Sequence, residues 1–193
     1  MSSIKSIAVY CGSSPGLLPE YATIAEELGQ FLANNSITLV YGGSSVGLMR
    51  IVADNVLQCG GKVIGVIPEA IAKKVVHTNL TELHITQDMH SRKKKMFDLA
   101  DAFIAMPGGI GTLEEIFEVL TWSQLGFHSK PCAFLNIAGY YNKLFDFLKY
   151  SVDQRFVTQE HLDMFQISNA VEDVMESLKT YEPKISDKWI DRK

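Results

Sequence analysis

Five short and almost unbroken apolar runs, at residues 7–11, 38–41, 62–67, 102–106 and 132–135, recur along this chain with longer helix-patterned stretches between them. A run of four to six apolar residues is what a strand needs when both faces of its sheet are covered. The stretches between carry the other period. Residues 20–34 repeat Tyr21, Ile24, Ala25, Leu28, Phe31 and Leu32 at helical spacing, and residues 46–59 do likewise before stopping at Gly60-Gly61. Such alternation predicts right-handed βαβ units, hence an α/β fold: a Rossmann-like, doubly wound parallel β-sheet with helices on both faces. From Tyr141 onward the pattern reads as helical, with Ser168 or Asn169 capping a last helix over residues 170–180. No repeat, low-complexity block or linker divides the chain. One domain is therefore expected over residues 1–181, followed by a polar tail at residues 182–193 with Trp189 as its one strong anchor.

A chain of 193 residues, 47% hydrophobic, is long enough to bury a full core without disulfides or metal. The three cysteines, Cys11, Cys59 and Cys132, are odd in number and widely spaced, which fits neither a disulfide framework nor a CxxC metal site. A formal net charge of −4 supplies no chain-wide field for nucleic acid, and no nucleic-acid partner is expected. No stretch approaches the roughly 20 apolar residues of a membrane helix, and the first apolar run is too short for a signal segment. A cytoplasmic protein without a membrane partner is the expectation.

Three of the strands run into small-residue turns: Gly12-Ser13-Ser14, Gly42-Gly43-Ser44-Ser45-Val46-Gly47, and Pro107-Gly108-Gly109-Ile110-Gly111-Thr112. In an open α/β sheet the loops at the carboxyl ends of strands meet in the ligand crevice. The third turn also opens a helix predicted over residues 113–122, so its amides and the helix dipole favour a phosphate or carboxylate. Ordinary βα-turn chemistry would select the same residue types. Neither GxGxxG nor GxxxxGK[ST] occurs, which leaves a mononucleotide as a better guess than a dinucleotide or a P-loop triphosphate.

The run from Asp88 to Ala100 looks like a solvated charge patch until it is wound into a helix. At about 100° per residue, Met89, Met96, Leu99 and Ala100 share a face with Arg92 and Lys93, whereas Lys94 and Lys95 point away. A buried cation needs a counter-charge, from a ligand phosphate or from a protein carboxylate. Glu115 has two readings as well. Thr112-Leu113-Glu114-Glu115 fits a capping box, in which the glutamate merely reaches back to the helix start. Alternatively, a carboxylate one turn into a helix that faces the crevice reaches a ligand held by the loop.

Together these segments resemble the LONELY GUY family, the cytokinin-activating nucleotide phosphoribohydrolases often mislabelled lysine decarboxylases. Its PGGxGTxxE motif is matched in full from Pro107 to Glu115. Further landmarks are Cys11-Gly12-Ser13-Ser14, Tyr41-Gly42-Gly43, Val46-Gly47-Leu48-Met49, Val63-Ile64-Gly65-Val66-Ile67-Pro68, Met89-His90-Ser91-Arg92-Lys93 and Thr121-Trp122-Ser123-Gln124-Leu125-Gly126. Where the family commonly has a third glycine and a glycine after the methionine, this chain has Ser44 and Arg50.

The resemblance implies hydrolysis of the N-glycosidic bond of an adenine-type nucleoside 5′-monophosphate, giving free base and ribose 5-phosphate. Carried over, Glu115 and Arg92 are the catalytic positions. Gly12, Ser13, Gly42, Gly43, Met89, Arg92, Lys93, Pro107, Gly108, Gly109, Ile110, Gly111 and Thr112 are candidates for holding substrate and its phosphate. A homodimer or larger homo-oligomer with sites near the interface is implied, and neither cofactor nor metal. The rival expectation is a non-catalytic nucleotide-binding or carrier protein of the same fold. A pyridoxal-phosphate decarboxylase would need a Schiff-base lysine, which nothing in the sequence singles out. His77, His84, His128 and His161 show no ligand spacing and are read as surface or packing residues.

Overall fold

The structure is a computed structural model, and it describes residues 4–183; the expected Trp189 anchor and most of the tail lie outside them. Within these described residues seven parallel strands form one sheet: β1 (Ser6–Tyr10), β2 (Thr38–Tyr41), β3 (Val63–Pro68), β4 (Glu82–Thr86), β5 (Ala102–Ala105), β6 (Cys132–Leu135) and β7 (Phe165–Ser168). Their order is β4-β3-β2-β1-β5-β6-β7. The chain thus winds outward in one direction from β1 to β4 and in the other from β5 to β7. The doubly wound parallel sheet predicted from the apolar runs is what forms.

Among the described residues eight α-helices connect and flank the strands: α1 (Pro19–Asn34), α2 (Gly47–Gln58), α3 (Glu69–Val75), α4 (Met89–Leu99), α5 (Ile110–Gln124), α6 (Asn142–Asp153), α7 (Gln159–Leu162) and α8 (Val171–Lys179). Period-2 alternation along the central strands divides their side chains between two cores. Ile7, Val9, Leu39, Ile104 and Leu135 pack with α1, α2 and α8 on one face. Ala8, Tyr10, Val40, Phe103 and Phe134 pack with α4, α5 and α6 on the other.

The expectation of continuous helix beyond Tyr141 is corrected by β7, which pairs with β6 from Cys132↔Phe165 to Leu135↔Ser168. Phe165-Gln166-Ile167-Ser168 sits at the sheet edge, half-covered, so no unbroken apolar run marks it. Nor is Ser168 or Asn169 the cap residue of α8. That position is Ala170, whose N–H donates to Ser168 Oγ at 3.3 Å.

Candidate active site

The sheet changes winding direction between β1 and β5, which pair from Ile7↔Ala102 to Tyr10↔Ala105, so their outgoing loops start level with one another. Backbone bonds tie these loops together. Met106 N–H donates to Tyr10 O at 2.9 Å, Gly12 N–H to Pro107 O at 3.0 Å, and Leu48 N–H to Gly12 O at 3.0 Å. All three glycine turns therefore meet at the switch point, where an open α/β sheet places its ligand crevice.

Helix α5 begins at Ile110, three residues earlier than predicted, because Gly109 is extended and stands as its cap without a side-chain bond. The amides of Ile110, Gly111 and Thr112 precede the first intrahelical bond, made by Leu113 N–H to Gly109 O at 3.1 Å. Such first-turn amides are donors for an anion. The earlier start also removes the capping-box alternative. Thr112 lies inside the first turn, not before it, and Glu115 turns to another partner.

That partner is Arg92. Its Nη1 donates to Glu115 Oε1, and its Nε donates to Val66 O at 3.1 Å, so the guanidinium bridges α5 and β3. Asp88 starts α4 with a true capping box, its carboxylate accepting from Ser91 N–H at 2.7 Å, which fixes the register that turns Arg92 inward. Gly42 makes the room: a β-carbon there would press on Arg92 Nη2 and on Met49 Sδ. Arg92 is 8% exposed and the Glu115 side chain 11%. Of the two counter-charges expected for Arg92, the structure supplies the protein carboxylate, and the same side chain also lines the crevice.

Arg92 and Glu115 open onto a cavity of about 540 Å³, within the range of small-molecule sites. Gly12, Ser13, Gly42, Met89, Gly109, Ile110, Gly111 and Thr112 line it as well. Its apolar wall comes from Val46, Met49, Ile67, Pro68, Ile71 and Val75, none of which was singled out from the sequence as a site residue. Ile67 and Pro68 end a strand on the crevice side, a signal that was present; Ile71 and Val75 sit on the short α3, which has no clear period. Pro107 and Gly108 instead line an adjoining cavity of about 260 Å³ that shares Gly12, Ser13 and Gly109. Gly43 and Lys93 line neither of the two. Met89, predicted to face inward with Met96, is 41% exposed at the cavity, while Met96 is fully buried.

Burial pushes the Glu115 carboxyl above its ordinary range, and Arg92 opposes this without cancelling it. Burial, reinforced by Glu115, also pushes up the Tyr10 hydroxyl and the Cys11 thiol, so both stay neutral beside the site. Cys11 is in no position to act as a thiolate nucleophile. Burial would lower the Lys93 ammonium, but hydrogen bonds to Glu114 and Glu118 outweigh it and raise its proton affinity. A Schiff-base lysine needs the opposite shift. Among the described residues no group of three or more His, Cys, Asp or Glu is placed to hold a metal ion, and no helix is long and apolar enough to cross a membrane.

Residues 49–178 match a family described as possible lysine decarboxylase. A cytokinin riboside 5′-monophosphate phosphoribohydrolase of Rhodococcoides fascians is 49% identical over 156 residues, 80% of this chain and 79% of that protein. One from Arabidopsis thaliana is 43% identical over 187 residues, 96% of this chain and 86% of its own length. The chain belongs to this phosphoribohydrolase family. Among solved structures, the molybdenum cofactor binding protein of Rippkaea orientalis superposes with a TM-score of 0.70 at 23% identity, covering 93% of this chain and 98% of that one. At that identity the likeness shows a shared fold.

Proposed function

We propose that this chain hydrolyses the N-glycosidic bond of an adenine-type nucleoside 5′-monophosphate, AMP or an N6-substituted relative, to free base and ribose 5-phosphate. The observation that carries this reading is the Arg92–Glu115 pair on a cavity that also takes in the first turn of α5. Relatives at 40% identity and above are named for this activity.

Breaking the C–N bond builds positive charge on the ribose, as in other glycoside hydrolyses. Glu115 sets a carboxylate against that charge and orients the attacking water; Arg92 holds the carboxylate in place. Oxygen from water joins C1′, and the departing base takes up a proton. The amides of Ile110, Gly111 and Thr112, with the Thr112 hydroxyl, grip the 5′-phosphate, so that binding energy far from C1′ is converted into orientation at it. The apolar wall from Val46 to Val75 receives the base.

Ile110, Met89 and Ile71 surround this cavity with exposed apolar side chains, Ile110 being 88% exposed. A second copy covering them makes the protein a homodimer or larger homo-oligomer with its sites near the interface. Its place is the cytoplasm. Light scattering across a dilution series tests the assembly.

The activity is tested by assaying purified protein against AMP, N6-prenylated AMP and adenosine. Release of free base from the nucleotides, with adenosine slower by a factor of about 100 or more, is expected. Equal rates with adenosine would remove the phosphate seat. Glu115→Gln should abolish turnover while sparing nucleotide binding; a variant that cleaves normally would remove the catalytic assignment. A nucleotide retained through purification and never turned over would make the protein a carrier.

A further inference from the structure

We propose that Lys93 is a positioning residue for the hydrolytic pair, one that spans Glu114 and Glu118 to hold α4 against α5 and leaves substrate binding to others. This rests on the reading of Glu115 as the catalytic carboxylate.

Helix α5 carries Glu114, Glu115 and Glu118 within little more than a turn, and like charges four residues apart on a helix repel. Two consecutive cations on α4 answer them. Because neighbouring helical residues point about 100° apart, Arg92 and Lys93 clasp α5 along different lines. Arg92 takes Glu115, whereas Lys93 Nζ contacts Glu114 Oε1 and lies 3.1 Å from Glu118 Oε1. Lys93 is as buried as Arg92, at 8% exposure, yet it lies outside the lining of the cavity that Arg92 enters. Two of its three donors are committed to carboxylates, which is the arrangement of a clamp and not of a phosphate ligand.

The groups facing Glu115 are Arg92 and Lys93 from α4, its neighbour Glu114 on α5, Tyr10 from β1 and Cys11 from the following loop. Tyr10 and Cys11 are neutral, so the charge around Glu115 is set by the two cations and the acids of α5. Without Lys93, Glu114 and Glu118 stand uncompensated, and Glu115 binds its proton more tightly. At a given pH, less of it is ionised.

The test compares Lys93→Met, Lys93→Arg and the triple variant Lys93→Met/Glu114→Gln/Glu118→Gln, each checked for folding by circular dichroism. Two quantities are read: the pH profile of kcat/KM with AMP, and the titration of the Glu115 carboxyl by carbon-13 NMR. For Lys93→Met we expect the acid limb and the Glu115 titration to move to higher pH together, by about half a unit or more, with KM within about twofold of wild type. Lys93→Arg should keep both near wild type. The triple variant should restore them, because it removes the acids along with the cation. If Lys93→Met does not fold, the titration and pH profile of the triple variant decide. A KM raised roughly tenfold without a shifted limb, and not rescued by the triple variant, would make Lys93 a substrate ligand and overturn the proposal. Unchanged kinetics and titration in Lys93→Met would overturn it too. Should wild type cleave no nucleotide, the functional reading fails, while the NMR titration still reports whether Lys93 governs Glu115.

Discussion

Gly47 lies against the peptide of Ser13 so closely that a β-carbon at Gly47 would overlap the Ser13 carbonyl carbon and the Ser14 nitrogen. Its φ of +59° is also one that side-chain-bearing residues avoid. The contact clamps the start of α2 onto the loop after β1, so the second glycine turn fixes the first.

Gly47→Ala should therefore cost about 2–3 kcal/mol in urea denaturation and depress turnover, since strain and collision act together. Gly60 provides the control. It has a φ of +75° but open space around it, so Gly60→Ala should cost only about 1 kcal/mol and leave turnover unchanged.

The pH dependence follows from burial of Glu115. Its carboxyl is raised above the ordinary value, and the chemistry proposed for it needs the ionised form. Activity should then be lost as pH falls through that raised value, so the acid limb of kcat/KM lies above the ordinary glutamate value of 4.5. A limb at or below 4.5, measured with AMP over the acid range, would mean that Arg92 outweighs burial.

Arg92 reaches Val66 O through Nε and Glu115 through Nη1, two directions that a single ammonium does not span. Arg92→Lys should lower kcat by at least about tenfold with modest loss of stability. Arg92→Ala leaves Glu115 buried without its counter-charge and should cost about 3–5 kcal/mol at neutral pH. Thermal and urea melts beside steady-state kinetics separate the two effects.

Ser44 is 4% exposed and its hydroxyl has no hydrogen-bond partner among the described residues. Removing an unpaired buried hydroxyl is favourable, so Ser44→Ala should gain about 1 kcal/mol. A loss of stability by chemical denaturation would show that the hydroxyl is satisfied in solution.

The five strands legible in the sequence, β1, β2, β3, β5 and β6, are those with a strand on either side. The two that were not legible, β4 and β7, are the edges. Glu82-Leu83-His84-Ile85-Thr86 pairs only with β3 and leaves Leu83 and Ile85 partly in solvent, so its pattern is that of neither a covered strand nor a helix. In the site, helical periodicity was enough to turn Arg92 and Lys93 inward. It did not separate them: one enters the cavity and the other stops at the acids of α5, a difference set by the packing of two helices and not by the spacing on either. The start of α5 is hidden in the sequence for a local reason. Gly109 caps by conformation, with no side chain to announce it, so Thr112 looked like the first capping residue.

Helix α3 gives Ile71 and Val75 to the cavity wall, yet none of its seven residues is buried in either core. The acid and its arginine, by contrast, are anchored through α5, α4 and β3. Mutations that reshape α3 are therefore cheap for the scaffold and leave the anchors of Arg92 and Glu115 in place. With the base seated on this wall as proposed, a lineage can change its taste in purine substituents by drift in this short helix while the proposed hydrolytic pair is inherited untouched.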